Sequence, residues 1–455
     1  AIVVLTFVAP ASATAESSAP KLGRSIVLTG PTGYPQAVIA AAGAQKGVQA
    51  FVWTKWSRPG FPSGRSWVQA RVRLANGQLT AVQSLSPTDG RAFLPAIGVD
   101  RSGATIVAWL QEVSRGHPFL LNVEAAIRPA RGHFGTPVVI GTTELTGLAG
   151  IPEVWEDNPF GVGPTLAVAP AGTTVVAWRD LKALRVAVRP IGHCSPLARR
   201  TCFSAPQSFP QGRLPRARNG PEAFANSPQV VFSNRDVAYM AWEGTNGVEL
   251  AVAQPGRPFG PDREVSPGNR GAAGPSIGLL PDGGAVLAWS SQAPPSVQGR
   301  IEVAAVSAAG SPSAPVRLPA GPSNAPFNIG VTGPPTVLIN PASEDLIDWE
   351  LSGTALGESV LATNGTFSPP RVIANLQGNE PLLMDARGDS MLAYTAGPYA
   401  EAFWSVRPPG RLFGPNEMLP KSGSGPPFLV LRAANVISVG WTTDKGTMLS
   451  DIDIA

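Results

Sequence analysis

The sequence predicts an all-β chain built from eight copies of one four-stranded antiparallel unit. Three observations carry that expectation. A phrase bounded by proline and tryptophan recurs along the chain. The 455 residues include 50 glycines and 48 prolines, too many for long helices. The apolar runs between those breakers are too regular for disorder.

The phrase sets the first two strands of each unit. "PAIGVDRSGATIVAW" runs from Pro95 to Trp109 and "PTLAVAPAGTTVVAW" from Pro164 to Trp178. The same fourteen-residue spacing joins Pro228 to Trp242, Pro275 to Trp289, Pro335 to Trp349 and Pro427 to Trp441. A shorter copy runs from Pro381 to Tyr394, and a longer one from Pro35 to Trp53. Apolar residues sit two and four positions after the proline, as at Ile97 and Val99. A turn rich in Gly, Asp and Asn follows, then an apolar run ending in the aromatic residue. That grammar is a hairpin. Its second strand is apolar at successive positions and is therefore expected to be covered on both faces.

A third strand reads "NVEAAIRP" (Asn122 to Pro129), "ALRVAVRP" (Ala183 to Pro190), "VELAVAQP" (Val248 to Pro255) and "EAFWSVRP" (Glu401 to Pro408). Shared turns such as "PARGHFGTP" and "PGRPFGPD" lead to a short fourth strand, as in "PVVIG" or "PVRLP". The aromatic anchors Trp53, Trp109, Trp178, Trp242, Trp289, Trp349, Tyr394 and Trp441 are spaced 56, 69, 64, 47, 60, 45 and 47 residues apart.

A four-stranded unit at this spacing resembles the blade of a β-propeller, with eight blades expected and seven as the alternative. After Trp441 one further strand, "TMLSDIDI", ends the chain, while "RSIVLTG" (Arg24 to Gly30) reads as a fourth strand without its first three. The resemblance implies a ring closed by a shared blade, which removes two open sheet edges. The expected organisation is a truncated signal peptide over 1–15, a linker over 16–21 and one propeller over 22–455.

The signal peptide is read from "AIVVLTFVAPASATA", an apolar stretch followed by the A-x-A pattern Ala13-Thr14-Ala15. No later stretch is long and apolar enough for a membrane span. The expected location is secreted, periplasmic or cell-surface, of bacterial type. Cys194 and Cys202 are the two cysteines, and in an exported chain they are expected to form a local disulfide clip. With three histidines in the chain, no metal site and no cofactor are expected. The net charge of +4 is small, and Arg199, Arg200, Arg213, Arg216 and Arg218 form the one loose basic cluster. A nucleic-acid binder would carry a continuous basic stripe.

In propellers, the loops from strand two to three and from strand four to the next strand one gather on one face. The resemblance therefore implies ligand contacts just after the anchors: Lys55, Trp56, Gln111, Glu112, Arg179, Asp180, Glu243, Ser290 and Glu350. Asp348 breaks the repeat, because Ala or Gly precedes the aromatic residue in six copies. A buried acid needs a partner or a raised pKa. Asp348 and Glu350 are thus candidate catalytic carboxylates as well as candidate structural links. The segment from Thr142 to Gly163 offers Trp155 for stacking on a sugar ring, flanked by Glu153 and Asp157 for its hydroxyls.

Sialidase-like chains carry Ser-x-Asp-x-Gly-x-x-Trp boxes, and none is present. The expected function is binding of a glycan or an extracellular protein by a monomeric scaffold. The alternative is a carbohydrate-active hydrolase or lyase using paired carboxylates.

Overall fold

The computed structural model describes residues 20–454 apart from 31–39, 58–63, 115–119, 145–162, 181–182, 192–201, 211–227, 267–271, 292–299, 319–334, 340–344, 352–354, 362–366, 375–381, 397–400, 424–425 and single residues at 45, 245, 370, 386, 410 and 412. Every regular element among the described residues is a β-strand.

The strands form eight antiparallel sheets, numbered here in chain order. Sheet 1 spans residues 40–84, sheet 2 92–144, sheet 3 165–210, sheet 4 229–264, sheet 5 272–317, sheet 6 336–374 and sheet 7 382–418. Each is a meander of four strands in sequence order. The turns permit this economy, since a two- to five-residue loop suffices between antiparallel neighbours. Asp100 shows the chemistry: its Oδ1 accepts from the backbone N–H groups of Ser102 at 2.8 Å and Ala104 at 2.9 Å, folding the first hairpin of sheet 2.

The eighth sheet draws on both ends of the chain. It holds Phe428–Ala433, Val436–Thr443 and Gly446–Asp453, and Lys21–Leu22 and Ile26–Val27 pair antiparallel with the last of these. The sequence suggested one strand from Arg24 to Gly30. Instead the ladder starts at Lys21, breaks, and resumes with Ile26 opposite Leu449. At the break Gly23 N–H still donates to Asp451 O at 2.8 Å.

The second strand of each unit is the buried one. Thr174–Arg179 is buried at all six positions, as the unbroken apolar run requires. The core lies between sheets, and six of the aromatic anchors reach back to the sheet before their own, while Tyr394 stacks on Phe403 within its own sheet. Trp109 shares a core cluster with Val68 and Val72 of sheet 1. Trp178 joins Leu121 and Ile140 of sheet 2, and Trp242 joins Leu184 and Phe209 of sheet 3. Trp289 joins Val248 and Leu250 of sheet 4, and Trp441 joins Trp404 of sheet 7. Trp53 of sheet 1 joins Leu449 and Val430 of sheet 8, together with Leu28. The contact is close: a Cβ on Gly141 would stand 2.2 Å from Cζ2 of Trp178. The side chain of Trp349 lies outside the described residues.

The first strands lie side by side from sheet to sheet, and the first strand of sheet 8 lies beside that of sheet 1. There a Cβ on Gly43 would stand 1.8 Å from Leu431 O, so the approach requires glycine. A polar network fastens the same junction. Arg73 donates through both Nη atoms to Asp451, at 2.6 and 2.9 Å. Arg432 also binds Asp451 Oδ2, and Ser438 Oγ donates to Oδ1 at 2.5 Å. Gln49 Nε2 donates to Ser438 Oγ at 2.8 Å. Repeated four-stranded antiparallel sheets that pack in this way are the architecture of a β-propeller repeat protein.

Candidate functional site

The residues that follow the anchors sit at one end of the second strands. There the structure assembles two polar groups from successive sheets.

The first group joins sheets 1 and 2 around Arg91. The Arg91 carbonyl accepts from Glu112 N–H at 2.8 Å and from Gln111 Nε2 at 2.9 Å. Its guanidinium Nη1 meets Glu112 Oε2 at 3.3 Å, with both side chains about nine-tenths buried. Ser66, the register partner of Trp56, bridges to Arg91, and its N–H donates to Gly90 O at 3.2 Å. Ser66 is wholly buried, while Trp56 is half-buried. The Ser66 Oγ and Gln111 Oε1 are buried and accept or donate no hydrogen bond. Buried polar atoms are nearly always satisfied, so such a concentration calls for water or a ligand.

Local backbone geometry places Arg91. The strand Ala92–Val99 slips register between Phe93 and Ala96, and Leu94 takes φ 52°, the left-handed region that a leucine rarely enters. Bulges of this kind re-aim side chains beside binding sites. Lys55 belongs to the same end: its Nζ lies 5.7 Å from the centroid of the Trp67 ring, which is a cation–π contact.

The second group joins sheets 2, 3 and 4. Thr143 Oγ1 donates to Arg179 O at 3.1 Å, fixing the strand end. The Arg179 side chain turns the other way, and its Nη2 donates to Glu243 O at 3.2 Å. Arg179 is 3% exposed, and its Nε–H has no acceptor. Burial lowers the guanidinium pKa to about 10, against the pull of Glu243. Burial likewise raises the Glu243 carboxyl above the usual carboxylate range, against the pull of Arg179. The two side chains influence each other across the sheet boundary without forming an ion pair.

The other sequence-derived residues separate. Asp180 belongs to its own turn, accepting from Arg185 Nε and from Ala183 N–H, each at 2.7 Å. Ser290 is half-buried at the corresponding end of sheet 5. Asp348 and Glu350 lie in the strand Asp345–Leu351, in register with Glu358 and Leu356; their side chains lie outside the described residues. Glu358 is buried and meets Arg407 of sheet 7 at 3.3 Å. Trp155, Glu153 and Asp157 lie outside the described residues, as does Cys194. Cys202 is half-buried, and among the described residues no cysteine is free.

Sequence reasoning missed Arg91 and Ser66. Both lie at the end of the sheet that the anchor rule identified, but on the strands that enter it rather than on the strand that leaves. Applying the rule to the first residue of strand three and the residue before strand one would have found them. Among the described residues no cluster of His, Cys, Asp and Glu could hold a metal ion, and no helix is long and apolar enough to cross a membrane.

No protein-family model and no curated protein matches the sequence. Solved structures similar to this chain include the polysaccharide lyase Uly1, at 10% identity and a TM-score of 0.49, covering 96% of this chain and 100% of that one. A Hadza microbial sialidase, Hz136, matches at 10% identity and a TM-score of 0.39, covering 96% of each chain. An α-L-arabinanase of Penicillium chrysogenum, complexed with arabinobiose, matches at 12% identity and a TM-score of 0.38, covering 81% of this chain and 96% of that one. Identities near one residue in ten carry no site residue from those proteins to this chain.

Proposed function

We propose that this protein is an exported, eight-bladed β-propeller that binds a glycan at the end of the ring where the second strands finish. The cycle of first-strand neighbours and the pairing of residues 21–27 with Gly446–Asp453 support closure through a shared eighth blade. The apolar N-terminal stretch with its A-x-A pattern supports export, and the spacing of Cys194 and Cys202 supports a clip between them.

One observation carries the ligand class: half-buried Trp56 stands in register with Ser66, next to the Arg91–Glu112 pair and Gln111. An aromatic face beside fixed donors and acceptors suits a sugar, which presents an apolar ring face and an equatorial set of hydroxyls. Lys55 and Trp56 would meet the ligand directly, with Glu112 held for its hydroxyls by Arg91. A surface protein is the alternative ligand on the same face.

A hydrolase or lyase is the second reading, and Glu243 favours it. Burial holds its carboxyl toward the proton-bearing form that a general acid requires. A glycan array incubated with residues 16–455 and read for both retention and cleavage tests all of these. Retention without cleavage is the expected result. Cleavage that disappears in E243Q would establish the second reading, and a blank array would transfer the face to a protein ligand.

A further inference from the structure

We infer that Arg179 and Glu243 form a subsite for an anionic substituent, a carboxylate or a sulfate ester, on the glycan bound at this face. The inference rests on the ligand-face reading above and adds a chemical class to it.

Arg179 is held from two sides. Thr143 of sheet 2 fixes its carbonyl, and the Glu243 carbonyl of sheet 4 takes one of its Nη hydrogens. Its side chain is therefore preorganised, and the cost of ordering a long flexible arginine has already been met by the fold. What the fold leaves undone is the charge. Arg179 Nε–H is buried without an acceptor, and the Glu243 carboxylate forms no ion pair with the guanidinium. With its pKa lowered only to about 10, the guanidinium stays protonated at neutral pH. The Glu243 carboxyl is displaced toward its neutral form. A protonated guanidinium with a buried, unbonded N–H leaves a charged donor unused. Glu243 is half-buried, so the pair reaches solvent through it. An anionic oxygen satisfies the donor and neutralises the guanidinium charge together.

The Asp451 network shows the contrast in charge. There another buried arginine, Arg73, has both Nη atoms met by a carboxylate from the neighbouring sheet, whereas among the described residues no carboxylate forms an ion pair with Arg179, whose Nη2 meets a backbone carbonyl.

The test uses the intact chain and matched probes: hexuronate-containing oligosaccharides beside their carboxyl-reduced counterparts, and sulfated oligosaccharides beside their desulfated forms. The expected result is retention of an acidic member at least tenfold above its neutral counterpart. R179Q should erase that difference. Which pair shows the preference distinguishes carboxylate from sulfate. Equal retention of acidic and neutral forms by the wild type would overturn the subsite and leave the glycan reading standing. Retention of neither would overturn the glycan reading itself. If R179Q does not fold, the wild-type comparison decides alone.

Discussion

Two boundaries between sheets are built from the same materials and reach opposite electrostatic results. At the junction of sheets 8 and 1, burial alone would raise the Asp451 carboxyl. Hydrogen bonds from Arg73 and Ser438 and the charges of Arg73 and Arg432 outweigh it and hold the group below the usual carboxylate range. Between sheets 3 and 4, burial prevails: Glu243 is raised and Arg179 lowered. The difference lies in hydrogen bonding. Asp451 receives direct donors on both oxygens, whereas Arg179 spends its bond on a backbone carbonyl. A satisfied pair holds structure together, and an unsatisfied one remains available to a ligand.

The largest expected effect comes from breaking the satisfied pair. D451A removes the carboxylate shared by Arg73 and Arg432 and should cost about 3–5 kcal/mol, measured by urea unfolding. A loss below about 1 kcal/mol, the range of an exposed ion pair, would show that the network holds nothing. Next comes the packing between sheets. W178A removes an indole lodged against Gly141 and should cost about 3–5 kcal/mol, less to whatever extent the site collapses.

Removal of the unsatisfied pair should cost far less. R179Q deprives one backbone carbonyl of its donor, a loss of about 1 kcal/mol by the same unfolding measurement. If R179Q destabilises as much as D451A, the two boundaries do the same work and the contrast fails.

Acid and neutral pH separate the two kinds of group further. Because the folded-state pKa of Asp451 is depressed, its contribution is present above the ordinary carboxylate range and is lost as pH falls through the folded value. D451N should flatten that acid limb. Glu249 behaves in the opposite sense. Burial, Asp262 and its register partner Glu264 push its carboxyl up to about 7. Its contribution is complete below the ordinary carboxylate range and declines as pH rises toward about 7. E249Q should therefore remove that decline and leave stability at low pH unchanged. A melting temperature that falls equally between pH 5 and 8 in E249Q and wild type would contradict it.

Much of the fold was legible because its signals are local and repeated. The alternation of turn residues and apolar runs is written eight times, and the anchors at Trp109 and Trp178 mark the same strand end in each copy. The bonds between sheets were not legible. Arg73 and Asp451 are 378 positions apart, and Arg179 and Glu243 are 64 apart. Nothing in either neighbourhood distinguishes an arginine met by a carboxylate from one met by a backbone carbonyl. Asp348 illustrates both sides: its departure from the repeat was visible in the sequence, but its register partner Glu358, paired with Arg407 of the next sheet, became apparent only from the fold.

Two tryptophans three positions apart test most directly whether the second-strand ends form a ligand face. Trp53 is buried in the junction core, and Trp56 is half-buried beside Ser66. The measurement is glycan-array retention by W56A, taken alongside its melting temperature. W56A should melt within a few degrees of wild type and lose at least tenfold in retention. Undiminished retention by a W56A protein that melts like wild type would contradict it.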